Sequence, residues 1–169
     1  EFISIRMEEQ HIRSYLQIQE ARYSDIMDYR IDIDPALYSY QIPKLTLQPI
    51  VENALYHGIK YKRSHGTIAV NGRMQEDTIR LVVTDDGAGM DETELTQLRE
   101  DISKPCKETD RGFGLANVNE RIRMDFGAEY GLTIDSAKGE GTRVTIVIPA
   151  ILEEQKLLEE GGTHSEQET

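Results

Sequence analysis

Basic residues are scarce in this chain, cysteine is all but missing and no long apolar run occurs. Each deficit removes a class of function. Nineteen lysines and arginines stand against 31 aspartates and glutamates, for a net charge of −12. Nucleic-acid phosphates demand a basic footprint, so this balance argues against a nucleic-acid partner. The single cysteine, Cys106, excludes an internal disulfide and a cysteine-based zinc site, and it fits a reducing compartment. No apolar stretch approaches the ~20 residues of a membrane-spanning helix. No secretory leader is visible, and there is no internal repeat. What remains is 169 residues, enough for one domain with a single core. The acidity is uneven: from Ala150 to Thr169, six glutamates and one lysine carry −5 of the net charge.

The stretch from Leu45 to Lys60 organises the rest. On a helical projection Leu47, Ile50, Val51, Ala54 and Leu55 fall on one side, at the three- and four-residue steps of an amphipathic helix. Thr46, Asn53, Tyr56, His57 and Lys60 fall on the other. An amide oxygen such as that of Asn53 can join the shell of a hard cation that keeps several waters and sits between phosphates. A solvated polar face is the competing reading of this helix alone. Pro49 conflicts with a helix running from Pro43, because it removes an internal hydrogen bond. Either Thr46 is the N-cap or the helix is kinked.

Around this stretch, Ser4–Tyr23 reads as a helix with Ile5, Ile12, Leu16 and Tyr23 as its stripe, Tyr15 and Ile18 widening it, and Glu8, Glu9, Arg13 and Glu20 facing out. His11 reads as a solvated helical histidine. Ile26–Ile33 alternates like a half-buried strand, and Asp34-Pro35 stops it. Ala36–Gln41 is a connector. Thr67–Met74 and Thr78–Thr84 form a hairpin, Asp91–Glu100 a short helix, and Asp101–Asp110 a polar loop broken by Pro105. Leu115–Phe126 is a helix, followed by strands Leu132–Ala137 and Arg143–Ile148. Glu153–Glu160 extends as a frayed helix, and Gly161–Thr169, without apolar content, is expected to be disordered. Consecutive strands without helical crossovers predict an α/β two-layer sandwich, a mixed, largely antiparallel sheet with helices on one face. The expected division is 1–25 as a linker helix, 26–150 as the main domain and 151–169 as an acidic tail.

Three further stretches complete a pattern. Asp85-Asp86-Gly87-Ala88-Gly89-Met90 follows the apolar strand Leu81–Thr84; Arg111-Gly112-Phe113-Gly114-Leu115 opens a helix; Gly139-Glu140-Gly141-Thr142 lies near the end. With the Asn53 helix, their order and spacing resemble the N, G1, G2 and G3 boxes of the GHKL (Bergerat-fold) ATP-binding domains. The phrasing of residues 42–60 and Gly112–Arg121 is most similar to the catalytic domain of YesM/LytS-type sensor histidine kinases. The resemblance covers roughly residues 4–149.

The resemblance implies Mg-ATP as ligand, with Asn53 binding Mg2+ and Asp85 reading the adenine amino group. Gly87, Gly89 and Met90 would bend the chain near the purine. Gly112, Gly114 and Leu115 would cradle phosphate at a helix start, a ready anion site, although the third glycine usual in that box is absent. Thr142 would reach the adenine through water. Residue by residue, Asp85-Asp86-Gly87 also reads as a simple turn, and Gly139–Thr142 also makes a good hairpin. The lysine the family often carries three residues after the asparagine is Tyr56 here, with His57 next. Lys60 is then the nearest candidate cation for the γ-phosphate, ahead of Lys62 and Arg63. Met90–Arg111 would be an ATP lid.

The implied activity is transfer of the γ-phosphate to a histidine on a dimerisation hairpin upstream, for relay to a response regulator. The implied setting is the cytoplasmic side of a bacterial membrane sensor, with the membrane reached only through upstream segments. One alternative is a GHKL ATPase or an anti-sigma-type serine kinase, and the other a nucleotide-binding scaffold. Family enzymes that activate water or a hydroxyl carry a glutamate four residues before the asparagine. Here that residue is Pro49, and Glu52 points about 100° away from Asn53 on a helix.

Overall fold

The computed structural model describes residues 1–60, 62, 64–106 and 114–162. Its centre is a five-stranded sheet in the order β2-β4-β5-β7-β6. These are β2 (Met27–Ile33), β4 (Gly66–Gln75), β5 (Thr78–Asp85), β6 (Gly131–Ala137) and β7 (Gly141–Pro149). The β2–β4 pair is parallel and the other three pairs are antiparallel. A small two-stranded sheet, β1 (Phe2–Ser4) with β3 (Gln41–Pro43), occupies part of what reads in sequence as plain connector.

Strand alternation sends Ile68, Val70, Ile79, Leu81, Val83, Val144, Ile146 and Ile148 to one buried face. That face is covered by α1 (Ile5–Arg22), α2 (Leu47–Asn53), α3 (Glu92–Ser103) and α4 (Gly114–Phe126), through Ile12, Leu16, Ile50, Val51, Leu95 and Ile122 among others. The result is the expected two-layer sandwich. A last helix, α5 (Glu153–Gly162), follows the sheet. No helix among the described residues is long and apolar enough to cross a membrane.

Two local expectations need correction and one open alternative is resolved. In α1 the stripe of Ile5, Ile12 and Leu16 is buried as expected, but Glu8 and Glu9 are buried beside it and Ile18 is 61% exposed. The reason is polar: the Glu8 carboxylate accepts backbone amides at the head of α2. The helix after Asp91 runs on to Ser103, into the presumed loop, and buries Ile102. A capping box between Asp91 and Glu94 fixes its start. Finally, α2 begins at Leu47, which puts Pro49 in the first turn where its missing N–H is not needed. Beyond Asn53 the winding changes, and Ala54–Ile59 is π-helical, with the Lys60 amide donating to the Leu55 carbonyl at 3.0 Å.

Candidate functional site

The strand register explains how distant stretches meet. Asp85 closes β5 directly opposite Thr142 of β7, and Thr142 lies opposite Ser136 of β6. The Thr142 and Ser136 hydroxyls are 2.9 Å apart, and the Met90 amide donates to Ser136 Oγ at 2.9 Å. Beside this row, the Ala88 amide donates to the Gly58 carbonyl at 3.2 Å and the Gly139 amide to the Ala88 carbonyl at 2.7 Å. The π-helical segment, the loop after β5 and the β6–β7 turn are thus laced together by main-chain bonds.

Over this floor lies a cavity of about 610 Å3, within the range of roughly 300–1,000 Å3 usual for small-molecule sites. Asn53, His57 and Gly58 line it from the α2 side, and Gly114 and Leu115 from the head of α4. Asp85, Gly89, Met90, Leu98 and Thr142 complete most of the wall, with Glu94 and Lys138 as further charged groups. Apolar Met90, Leu98 and Leu115 beside polar Asp85 and Thr142 suit a flat heteroaromatic ring with a polar edge.

Asp85 is 8% exposed. Its Oδ1 accepts the Gly87 amide at 2.9 Å. Burial pushes its carboxyl up to about 6, more than the Gly87 and Thr142 amides bring it down. Its space depends on Gly58, where a Cβ would lie 2.5 Å from Asp85 Oδ1. Gly87 is buried with its Cα against the Gly58 main chain, so it serves the packing of the loop on the helix and is not part of the cavity wall. Gly89 has φ +66°, and a side chain there would run into the Ala137 carbonyl.

The cavity therefore brings together Asn53, His57, Asp85, Gly89, Met90, Gly114, Leu115 and Thr142. It does not include Lys60. The Lys60 ammonium sits 3.9 Å from the Tyr56 ring centroid and 4.5 Å from that of Tyr23. Placing it there lowers the Tyr23 pKa, through a hydrogen bond. Lys62 pairs with Asp86 at 3.6 Å. Arg63, Gly112 and the 107–111 part of the expected lid lie outside the described residues. Among the described residues Lys138 is the one lysine or arginine lining the cavity. Sequence reasoning also missed Gly58 and Ser136. An isolated glycine in a helical pattern is a usable signal for Gly58; a serine in a strand offers none for Ser136.

Residues 43–151 match the family described as histidine kinase-, DNA gyrase B- and HSP90-like ATPases. The chain belongs to that family. The sensor histidine kinase YesM of Bacillus subtilis (strain 168) is 34% identical over 149 residues, 88% of this chain and 24% of that protein. The sensor protein LytS of Bacillus cereus is 33% identical over 91% of this chain and 26% of its own length. The sensor histidine kinase BtsS of Escherichia coli (strain K12) is 32% identical over 88% and 24%. The chain thus spans about a quarter of the length of these relatives. Among solved structures, the catalytic domain of histidine kinase ThkA superposes with a TM-score of 0.62 at 18% identity, covering 89% of this chain and 96% of that one. The mycobacterial sensor histidine kinase MprB gives 0.58 at 22% identity, over 90% and 98%. At such identities these two likenesses speak for the fold.

Proposed function

We propose that the chain is the ATP-binding catalytic domain of a two-component sensor histidine kinase. In this reading it holds Mg-ATP and donates the γ-phosphate to a histidine on a dimerisation hairpin of the same kinase, for relay to a response regulator. Residues 1–25 then carry the end of the dimerisation region, and the whole domain works on the cytoplasmic side of a membrane-bound sensor. The observation that carries the reading is that one cavity is lined by Asn53, Asp85, Gly89, Gly114 and Thr142, contributed by four separate stretches of chain.

Each residue has a task in this scheme. The Asp85 carboxylate accepts the adenine amino group, and the half-buried Asn53 amide supplies one oxygen to magnesium. No group of three or more His, Cys, Asp or Glu suited to a metal occurs among the described residues. A single neutral oxygen donor at Asn53 on the cavity wall would suit an ion carried in by phosphates and retaining its waters. The head of α4, at Gly114 and Leu115, would present helix-start amides to the phosphates. The domain's contribution is positioning and charge stabilisation, as is general for phosphoryl transfer.

The test is titration of a fluorescent ATP analogue with and without magnesium, followed by incubation of the chain with γ-labelled ATP and a histidine-bearing hairpin. Asn53→Ala is expected to remove the magnesium-dependent part of the affinity and leave the fold intact. Acid-labile label is expected on the hairpin histidine. Acid-stable label on a serine or threonine would instead favour the serine-kinase branch of the family, and binding without any transfer would favour a scaffold.

A further inference from the structure

Glu8 is an acidic side chain, 1% exposed and carried by α1, outside residues 43–151 of the family match. Among the described residues no ion pair involves it. Its Oε1 accepts the Thr46 and Leu47 amides, both at 2.8 Å, and its Oε2 the Leu45 amide at 3.3 Å. These amides form the head of α2. A threonine at that position normally caps its own helix, but the Thr46 hydroxyl makes no such bond and donates to the Pro43 carbonyl instead. The cap comes from another helix, 38 residues away in sequence. The three amides and the helix dipole are what stabilise a carboxylate in this buried place.

The same corner is held from its other side. Arg121 of α4 donates through Nη2 to the Leu45 carbonyl at 2.8 Å. Leu45 itself has φ +61°, a conformation unfavourable for leucine that the surroundings must impose. Three helices therefore meet at Leu45–Leu47. Two of them carry part of the cavity wall: α2 ends in Asn53, and α4 begins with Gly114 and Leu115. At the far end of the same helical stretch α1 makes contact again, through Tyr23 on Lys60.

We propose that Glu8 is a positioning residue for the nucleotide site. By seating α1 on the Leu45–Leu47 corner it sets where α2 holds Asn53 and where α4 holds its head, so the seat of α1 governs magnesium-dependent nucleotide binding. This rests on the nucleotide reading of the cavity. Asp85 and Thr142 are held by the sheet and stand outside the linkage.

The experiment uses the full chain and two variants, Glu8→Ala and Glu8→Gln. Affinity is measured for Mg-ATP and for ATP in EDTA, and amide hydrogen exchange is followed without nucleotide. Glu8→Ala is expected to weaken Mg-ATP binding about tenfold, the scale of couplings carried through such contacts. Its metal-free affinity should fall by less, because the phosphate contacts at the head of α4 are shared by both forms and the Asn53–magnesium contact is not. Exchange should quicken over residues 45–53 and 114–121 and remain slow in β4 and β5. Glu8→Gln keeps one acceptor oxygen and is expected in between, near a threefold loss. If Glu8→Ala does not fold, Glu8→Gln decides alone. Unchanged exchange over 45–53 in the folded variants would overturn the proposal, as would an equal loss of affinity with and without magnesium. A wild-type chain that binds no Mg-ATP would instead fail the nucleotide reading. The Glu8 link would then stand or fall on exchange at 114–121.

Discussion

Asp85 illustrates how a proposed binding group can oppose folding. Its carboxyl is raised from the ordinary aspartate value to about 6 because burial disfavours its charge. A raised native pKa contributes stability that is complete below the unfolded value and is lost as pH rises through about 6. At pH 7.5 the ionised side chain therefore costs the nucleotide-free fold, on the order of 1–3 kcal/mol. Asp85→Asn is expected to melt at a higher temperature than wild type at pH 7.5, with the advantage shrinking between pH 6 and 4. Calorimetry across that range checks it. Binding should move the opposite way, since the charged acceptor is lost. Asp85→Asn is expected to weaken ATP by roughly 1.5–3 kcal/mol, the worth of a hydrogen bond to a charged group. In the wild type, ATP affinity should likewise fall as pH drops below about 6. Equal wild-type affinity for ATP and GTP would remove the adenine-reading role. In the sequence Asp85 stood out only through the resemblance to the four boxes, since a strand followed by a glycine-rich turn also reads as a simple turn, and the structure places it on the cavity wall. Its burial was not legible, because it depends on Gly58 leaving room beside the carboxylate.

Among the elements, those with a clear period were legible and those shaped by distant partners were not. Leu115, Val118 and Ile122 mark α4, and the alternation in β4 and β5 marks their hairpin. The burial of Glu8 in α1 could not be read, because a glutamate that caps another helix looks like a solvated one. The π-helical winding after Asn53 was also hidden: its bonds span one residue more than an α-helix, and no residue type announces it. It turns Lys60 toward Tyr23 and Tyr56 and away from the cavity the α-helical projection suggested. In α3 the capping box was present in the letters Asp91 and Glu94, yet the helix runs past the point where polar composition suggested a loop. We expect α3 to show protected amides without nucleotide, since Leu95 and Ile102 are buried. Asp91→Ala should lower stability by about 1 kcal/mol and reduce that protection. Exchange as fast as in an unfolded peptide across Glu92–Ser103 would contradict the packing.

At the scale of the whole molecule, the layer architecture follows from the order of elements, but the strand order does not. Only the pairing of β5 with β7 sets Asp85 against Thr142, two residues 57 positions apart in the numbering, and turns separate motifs into one site. In the proposed reading, the same geometry favours transfer to a side chain over hydrolysis by water. Water is a poor nucleophile and needs a base near the phosphate; a neutral imidazole brings its own lone pair. One helical turn before Asn53 the chain has Pro49, which packs where α4 begins: a Cβ on Gly114 would lie 3.2 Å from Pro49 Cβ. No acid–base group occupies that position. Glu52 is the neighbouring carboxylate, and it accepts a hydrogen bond from Gln48 Nε2 at 3.2 Å. It is not among the residues lining the cavity. A positioned general base is worth about 10²–10⁴-fold in rate, and this site is expected to lack that factor toward water. The isolated chain should bind ATP yet release phosphate slower by about that factor than family members with the glutamate. Phosphate release from γ-labelled ATP, measured side by side with such an ATPase, is the check. Brisk release by this chain alone would mean that another residue activates water, and the assignment of the site to histidine phosphorylation would have to yield to the ATPase branch of the family.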